Sequence, residues 1–249
     1  MKDLRAVERM NMEEIRIQSR NHVEAGSKAD EAPRILCSMK GKSLICSMIE
    51  RRSDEKANGE PEARVAEIVT KSFEKRPTFQ DGPLISIANM MNNAVFVGNK
   101  PGSVYNCDAA FLFLVKNSYR WFISGTSRVL YFVDNKLVEQ SDKKEFPRIG
   151  LEPSFTPELG PIKRIVKGKN AFFLCSKALT DKIGEAGIEK ALADSQTQDE
   201  WMRKVEEMAG DTDFAAQALI LPEQRKAPIL SFAIIAVLVA IIAYLLLFR

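Results

Sequence analysis

The sequence predicts an α+β domain followed by one C-terminal transmembrane helix. Short apolar runs bounded by turn sequences are typical of strands. Stretches with apolar residues three and four apart are typical of amphipathic helices. The uncharged run over residues 228–248 predicts the membrane span. The chain has 249 residues, 45% of them hydrophobic, which is enough for a sizeable core.

The first half of the chain predicts strands and then two helices. Residues 34–39 and 43–49 are apolar runs on either side of Lys40-Gly41-Lys42, a pattern that predicts a hairpin. A further strand is expected over residues 12–17. Helices are expected to begin at Pro61, which suits a first helical turn, and at Asp81.

The second half is richer in strands. Phe111-Leu112-Phe113-Leu114-Val115 is apolar on consecutive residues, as in a sheet covered on both faces. The proline-rich residues 141–161 are interpreted as an extended surface segment. The other elements expected here are strands over 107–115, 119–124, 129–133 and 137–140, a hairpin over 162–166 and 171–176, short helices near 178–183, 185–193 and 197–208, and a strand over 215–221.

Charge and cysteine content argue against two classes of function. The net charge of +3 is too small to indicate a nucleic-acid partner. The four cysteines form no Cys-x-x-Cys pair and His22 is the only histidine, which argues against a Cys/His zinc site. Three of the cysteines lie in apolar, strand-like runs, a pattern that favours buried, reduced thiols of a cytosolic protein.

The C-terminal run from Ile229 to Phe248 has the length of a membrane span. Its 20 residues would extend about 30 Å as a helix, the thickness of the hydrocarbon core. A buried core helix is the alternative, but the run is long and uniformly apolar. We expect a domain over residues 1–221, a tether over 222–227 and an anchor over 228–249. With Arg225-Lys226 beside the span and a charged N-terminus, the expected location is the cell membrane, single-pass, with the domain in the cytoplasm.

Several stretches of the domain match one known pattern. In residues 171–181, Ala-Phe-Phe-Leu-Cys-Ser-Lys-Ala-Leu-Thr-Asp, a buried strand ends and a helix begins at Lys177. Residues 43–60, 123–137, 149–181 and 210–214 fit the same pattern in order. Together they resemble the PP2C-type (PPM) metal-dependent serine/threonine phosphatases, particularly the short bacterial ones. The resemblance covers roughly residues 12–221 and implies a PP2C-like sandwich of two antiparallel sheets flanked by helices.

The resemblance breaks at the metal site. In that family two divalent cations, held by aspartates and a glycine carbonyl, activate a water and clamp the phosphoryl oxygens. The first Asp-Gly pair matches Ser47 and Met48 here, and the next aspartates match Thr126 and Lys177. Asp213 alone is retained. One carboxylate cannot hold two dications, and a lysine ammonium would repel them. The resemblance therefore implies no catalytic, cofactor-binding or metal residues.

These observations favour a membrane-anchored pseudophosphatase, which would act as a binding or regulatory module in phospho-signalling. Its expected partners are the lipid bilayer and a protein such as a kinase or phosphoprotein. The first alternative is a protein serine/threonine phosphatase that binds Mn²⁺ or Mg²⁺ through an altered site built from acids such as Glu50, Asp54, Asp211 and Asp213. The second is a membrane-attached structural protein that shares only the fold.

An ion pair is also expected. The resemblance implies that Lys177 and Asp213 converge, and a buried aspartate left alone would be costly. We therefore hypothesise that the Lys177 ammonium replaces the lost metal and neutralises Asp213. Alternatively, Lys177 points to solvent. Asp181 is expected to cap or brace the start of the following helix.

Overall fold

The computed structural model describes residues 16–22, 33–52, 60–101 and 104–223, with the backbone alone over 16–22. Within these ranges the chain forms eleven strands and four helices. The strands are β1 (Arg16–His22), β2 (Arg34–Lys40), β3 (Ser43–Arg52), β4 (Asn106–Val115), β5 (Ser118–Ser124), β6 (Arg128–Val133), β7 (Lys136–Gln140), β8 (Glu158–Leu159), β9 (Lys163–Arg164), β10 (Asn170–Cys175) and β11 (Phe214–Ile220). The helices are α1 (Pro61–Lys75), α2 (Asp81–Phe96), α3 (Lys177–Ala193) and α4 (Gln198–Ala209).

The strands form two sheets, and neighbouring strands pair antiparallel. One sheet has the order β1-β11-β10-β6-β7. The other has the order β2-β3-β4-β5-β8, and β9 also pairs with β5. The α+β class and the two antiparallel sheets predicted from the sequence are confirmed.

Three apolar cores hold the layers together. The middle core lies between the sheets and includes Trp121 and Phe172. A second core packs α1 and α2 on the outer face of the six-stranded sheet, where Met91 joins Phe111. The third packs α3 and α4 on the outer face of the five-stranded sheet, around the fully buried Trp201. The architecture is therefore helix, sheet, sheet, helix.

Strand β3 shows why its sequence is apolar on consecutive residues. Successive side chains of a strand point to opposite faces. Leu44, Cys46 and Met48 join the core between the sheets. Ile45 and Ile49 join the core beneath α1 and α2. Because both faces are covered, a continuous apolar run is needed.

The helices of the second half follow local signals. The predicted helices over 178–183 and 185–193 are one element, α3, whose backbone leaves the helical region at Gly184 (φ 67°, ψ 166°). Glycine adopts this left-handed φ at little cost. Helix α4 begins with a reciprocal cap: Glu200 N donates to Thr197 Oγ1 (3.1 Å), and Gln196 N donates to Glu200 Oε2 (2.9 Å).

Two expectations for residues 141–176 are wrong. The predicted hairpin of residues 162–166 with 171–176 does not form, because β9 pairs with β5 in one sheet while β10 pairs with β6 and β11 in the other. The turn between them carries the chain from sheet to sheet. The proline-rich segment is not confined to the surface, because its side chains Phe146, Ile149 and Phe155 are buried.

The expectation of buried, reduced thiols is wrong for one pair of cysteines. Cys37 and Cys46 lie directly opposite each other on β2 and β3, and a disulfide joins them. Only the strand register reveals this proximity. Cys107 and Cys175 are free and buried, and burial raises the pKa of both thiols.

The predicted membrane span over residues 228–249 lies outside the described residues, as does Asp54. In the part of the chain that the structure describes, no helix has both the length and the apolarity needed to cross a bilayer.

The core around Trp201 yields a first prediction. Its indole is fully buried, packs against Phe173, and donates from Nε1 to Ile188 O (3.2 Å). We expect Trp201→Ala to lower the free energy of unfolding by about 3–5 kcal/mol, measured by urea denaturation. The control is Arg203→Ala on the same helix, whose side chain is 58% exposed, with an expected change within about 0.5 kcal/mol. Equal losses in the two variants would contradict the role given to this core.

Candidate functional site

Three of the predicted site positions lie at one end of the sandwich. Thr126 is in the turn between β5 and β6, Lys177 is the first residue of α3, and Asp213 immediately precedes β11. In the five-stranded sheet Cys175 pairs with both Arg128 and Ala216, so these strand ends share one edge. We call this edge the site end.

Ser47 and Met48 lie away from the site end. Both are inside β3, opposite Phe111 and Ala110, and the Ser47 side chain is on the strand face that meets the helices. The strand runs on to Arg52, and its register places Glu50 opposite Asp108. The structure therefore brings Glu50 and Arg52 to the site end in place of Ser47 and Met48.

The centre of the site end is the fully buried carboxylate of Asp108. Its Oδ2 accepts hydrogen bonds from Thr126 Oγ1 (2.7 Å) and Arg52 Nε (3.1 Å). Its Oδ1 accepts one from Arg148 Nε (2.9 Å). Both carboxylate oxygens are thus engaged by donors, two of them cationic. We call Glu50, Arg52, Asp108, Thr126 and Arg148 the Asp108 cluster.

Gly125 makes room for this carboxylate. A Cβ at this position would lie 1.8 Å from Asp108 Oδ1, and its φ of 67° is left-handed. Both constraints require glycine. The turn that carries Thr126 and the carboxylate it binds therefore depend on each other.

Glu50 is the second carboxyl group of the cluster. Its Oε2 is buried and accepts no hydrogen bond from the described residues, and the nearest cation is Arg52 Nη2 at 3.7 Å. Burial raises the pKa of Glu50 to about 7 and outweighs the opposing effect of the Arg52 guanidinium; the Asp108 charge raises it further. Near neutral pH, Glu50 is thus divided between its neutral and charged forms.

An outer ring of charges surrounds the cluster. Arg148 Nη2 lies 2.7 Å from Glu145 Oε1. Arg128 Nη2 donates to Lys143 O (2.5 Å), and Lys143 Nζ lies 2.7 Å from Glu185 Oε1. Basic groups therefore stand around the site end in fixed positions.

Lys177 and Asp213 are both exposed residues. The Lys177 ammonium donates to Asp181, one turn further along α3, and their side chains are 46% and 59% exposed. Asp181 thus braces the helix start, as expected. The Lys177–Asp213 pair stays a prediction, and between exposed side chains it would contribute at most about 1 kcal/mol.

The Asp108 carboxylate, as it is hydrogen-bonded here, is a poor ligand for Mn²⁺ or Mg²⁺. These hard cations need oxygen ligands with free lone pairs. Both Asp108 oxygens already accept hydrogen bonds, and the guanidinium groups of Arg52 and Arg148 would repel a dication. Across residues 33–52, 60–101 and 104–223, no group of three His, Cys, Asp or Glu side chains is arranged to hold a metal ion.

Sequence reasoning missed Asp108, Arg52 and Arg148. Asp108 had a visible signal, because it is a charged residue inside the apolar run of β4, where a charge is rarely buried without a partner. The sequence carried no such signal for Arg52 and Arg148, because Arg52 lies in a stretch with many charges and Arg148 in a proline-rich stretch.

No protein-family model matches the chain, and no curated protein matches it in sequence. Solved structures do match its fold. The serine/threonine phosphatase of S. agalactiae has a TM-score of 0.71 at 13% identity, over 84% of this chain and 100% of that one. The phosphatase Stp1 from Staphylococcus aureus has a TM-score of 0.67 at 15% identity, over 84% and 95%. The catalytic domain of the phosphatase PstP, in complex with two manganese ions, has 0.65 at 14%, over 83% and 96%.

The fold is that of the PP2C-type phosphatases. The fold implied by the sequence resemblance is thereby confirmed, and at these identities the likeness shows the fold alone.

Glu50 yields a prediction on pH. Its pKa is raised from 4.5 to about 7 on folding, so the folded state binds the proton more tightly than the unfolded state. The contribution of Glu50 to the free energy of unfolding is therefore largest below pH 4.5. It declines by about 3 kcal/mol as the pH rises to about 7. We expect Glu50→Gln to remove that decline. The measurement is urea denaturation at pH 5 and pH 8, with Glu145→Gln, 59% exposed, as the control. Parallel pH profiles for Glu50→Gln and wild type would contradict this assignment.

Proposed function

We propose that the chain is a membrane-anchored pseudophosphatase. Its PP2C-like domain would bind a partner in phospho-signalling without hydrolysing a phosphate ester. The observation that carries the proposal is the Asp108 cluster. A metal ion at the site end would need a carboxylate with free oxygens as a ligand. Here Arg52, Arg148 and Thr126 donate hydrogen bonds to the Asp108 carboxylate instead. Arg52 and Arg148 thus act as the counterions of Asp108 at the site end.

Charge supports a binding role. Metal-assisted hydrolysis places two cations against the phosphoryl oxygens. Here the positive charge belongs to guanidinium groups, which cannot activate a water but do bind phosphoryl oxygens through paired N–H donors. The side chains of Arg52 and Arg148 are 41% and 29% exposed, so each retains surface beyond Asp108. We therefore propose a phosphoprotein as the partner.

A second candidate is an active phosphatase with an altered metal site. Two observations favour it: PstP, which has a similar fold, is in complex with two manganese ions, and Glu50 and Asp108 place two carboxyl groups together. This candidate requires Arg52 and Arg148 to leave Asp108 when metal binds.

Catalysis separates the two candidates. We expect the full chain in detergent to show no hydrolysis of p-nitrophenyl phosphate or phosphoserine peptides with Mn²⁺ or Mg²⁺, because Asp108 is held by arginines. Calorimetry should show no Mn²⁺ binding. Stp1 from Staphylococcus aureus in the same detergent is the positive control. Metal-dependent turnover that disappears in Asp108→Asn or Asp213→Asn would establish the enzyme instead.

Membrane anchoring is the other half of the proposal. The described chain reaches Glu223, and the uncharged run begins at residue 228. Arg225-Lys226 beside that run favours the cytoplasmic side for the domain. The Cys37–Cys46 disulfide is an observation against this side, because such bonds are rare in the cytosol.

Removal of residues 228–249 tests the anchor. We expect the full chain to remain in the membrane pellet at high salt, and the shortened chain to move to the soluble fraction. High salt is needed because it screens surface charge interactions. Protease added to intact cells should leave a cytoplasmic domain uncut. Sedimentation of the shortened chain at high salt, or digestion from outside, would contradict the anchor or the side, respectively.

A further inference from the structure

The end of the sandwich opposite the site end is formed by three neighbouring turns. Lys116 N, between β4 and β5, donates to Lys42 O, between β2 and β3 (2.9 Å). Ile165 N donates to Asn117 O (2.9 Å). These bonds place the two hairpin turns and residues 161–169 side by side.

The last described residues of the chain lie at this same end. Leu221 N, just after β11, donates to Asn170 O (2.9 Å). The Asn170 side chain in turn donates to Gly168 O (2.7 Å) and Val166 O (3.0 Å). The route toward the C-terminus therefore starts beside residues 166–169.

This end is basic. Its exposed cationic residues, which we call the basic end, are Lys42, Lys116, Lys163, Arg164, Lys167 and Lys169. Among the described residues, the carboxylates at this end are Glu139, 2.6 Å from Lys163 Nζ, Asp134, which accepts from Lys169 N (2.9 Å), and Glu223, two residues after Leu221. Positive charge is in excess.

Exposed apolar side chains accompany the charge. Ile162 and Val166 are 43% and 48% exposed, on either side of the buried Ile165. Basic residues interspersed with exposed apolar ones are typical of protein surfaces that bind the interface of an anionic bilayer.

We propose, on the basis of the membrane anchor in the proposed function, that the basic end docks on the anionic lipid surface of the membrane that would hold the C-terminal run. Only residues 224–227 separate Glu223 from that run, and even fully extended they reach only about 15 Å. The basic end is therefore held within one or two Debye lengths of the headgroups. Each Lys or Arg near such a surface adds a factor of about five in affinity.

Docking in this way fixes the orientation of the domain. Strand β4 has 10 residues from the site end to the basic end, a length of about 33 Å. The Asp108 cluster then faces away from the bilayer, where a soluble phosphoprotein can reach it.

The test uses the full chain in nanodiscs of phosphatidylcholine, alone or mixed with phosphatidylserine. Hydrogen–deuterium exchange of residues 161–169 is the measurement. We expect exchange to slow several-fold in the anionic nanodiscs at low salt, and high salt to reverse the slowing. Equal exchange in the two lipids overturns the proposal, as does failure of the chain to associate with either nanodisc.

A matched pair of variants locates the effect. Arg164→Glu/Lys167→Glu/Lys169→Glu should abolish the lipid-dependent slowing. Lys100→Glu/Lys144→Glu/Lys182→Glu makes the same change in net charge at exposed residues elsewhere and should keep it. Exchange of β10 reports whether each variant is folded. The proposal is overturned if the variant at residues 164, 167 and 169 keeps the slowing, or if the folded variant at residues 100, 144 and 182 loses it. If a variant unfolds, the comparison of the two lipids with the wild-type chain still tests the proposal.

Discussion

A buried carboxylate at the end of an apolar sandwich constrains the surrounding structure. A charge removed from water costs several kcal/mol unless it is paired and hydrogen-bonded. Asp108 is fully buried, so Arg52, Arg148 and Thr126 must all reach it. Strand β3 has to run as far as Arg52, and the proline-rich segment has to fold inward to bring Arg148. Gly125 has to lack a side chain. One ionised group thus ties together three separate parts of the chain.

The same group would, on our proposal, let a PP2C-type fold remain stable without bound metal. On our proposal, the arginines supply the positive charge that dications would otherwise supply to a carboxylate at this end. This proposed substitution would keep electrostatic balance but remove reactivity, because a guanidinium holds no exchangeable water. Glu50 responds differently to the same surroundings: it has no hydrogen-bond donor at Oε2, and burial raises its pKa to about 7. The two neighbouring carboxyl groups therefore differ in their surroundings, because donors reach both oxygens of Asp108 but not Oε2 of Glu50.

Local patterns predicted most of the elements, and non-local pairing decided the rest. The helices at Pro61 and Asp81 and the break at Gly184 follow from nearby residues, and Thr126, Lys177 and Asp213 reach one end because each adjoins a recognisable strand end. The two arginine partners of Asp108 are 56 and 40 residues away along the chain, so only the strand register and a folded loop bring them close. The Cys37–Cys46 bridge depends on the β2–β3 register in the same way. The β9 error arose because a turn sequence does not specify which sheet the next strand joins.

The two ends of the sandwich carry different sets of charged groups. Strand interiors are apolar on both faces, since one face meets the other sheet and one meets helices. Most charged side chains of the strands therefore lie near the two ends; Arg120, buried within β5 and paired with Asp81, is an exception. At one end the charges are paired around the buried Asp108, whereas at the other they are exposed and mostly positive. Because β11 finishes at the basic end, the proposed anchor would bring that end toward the lipid and leave the Asp108 cluster on the far side. The direction of the last strand thus sets which surface of the domain remains available to a soluble partner.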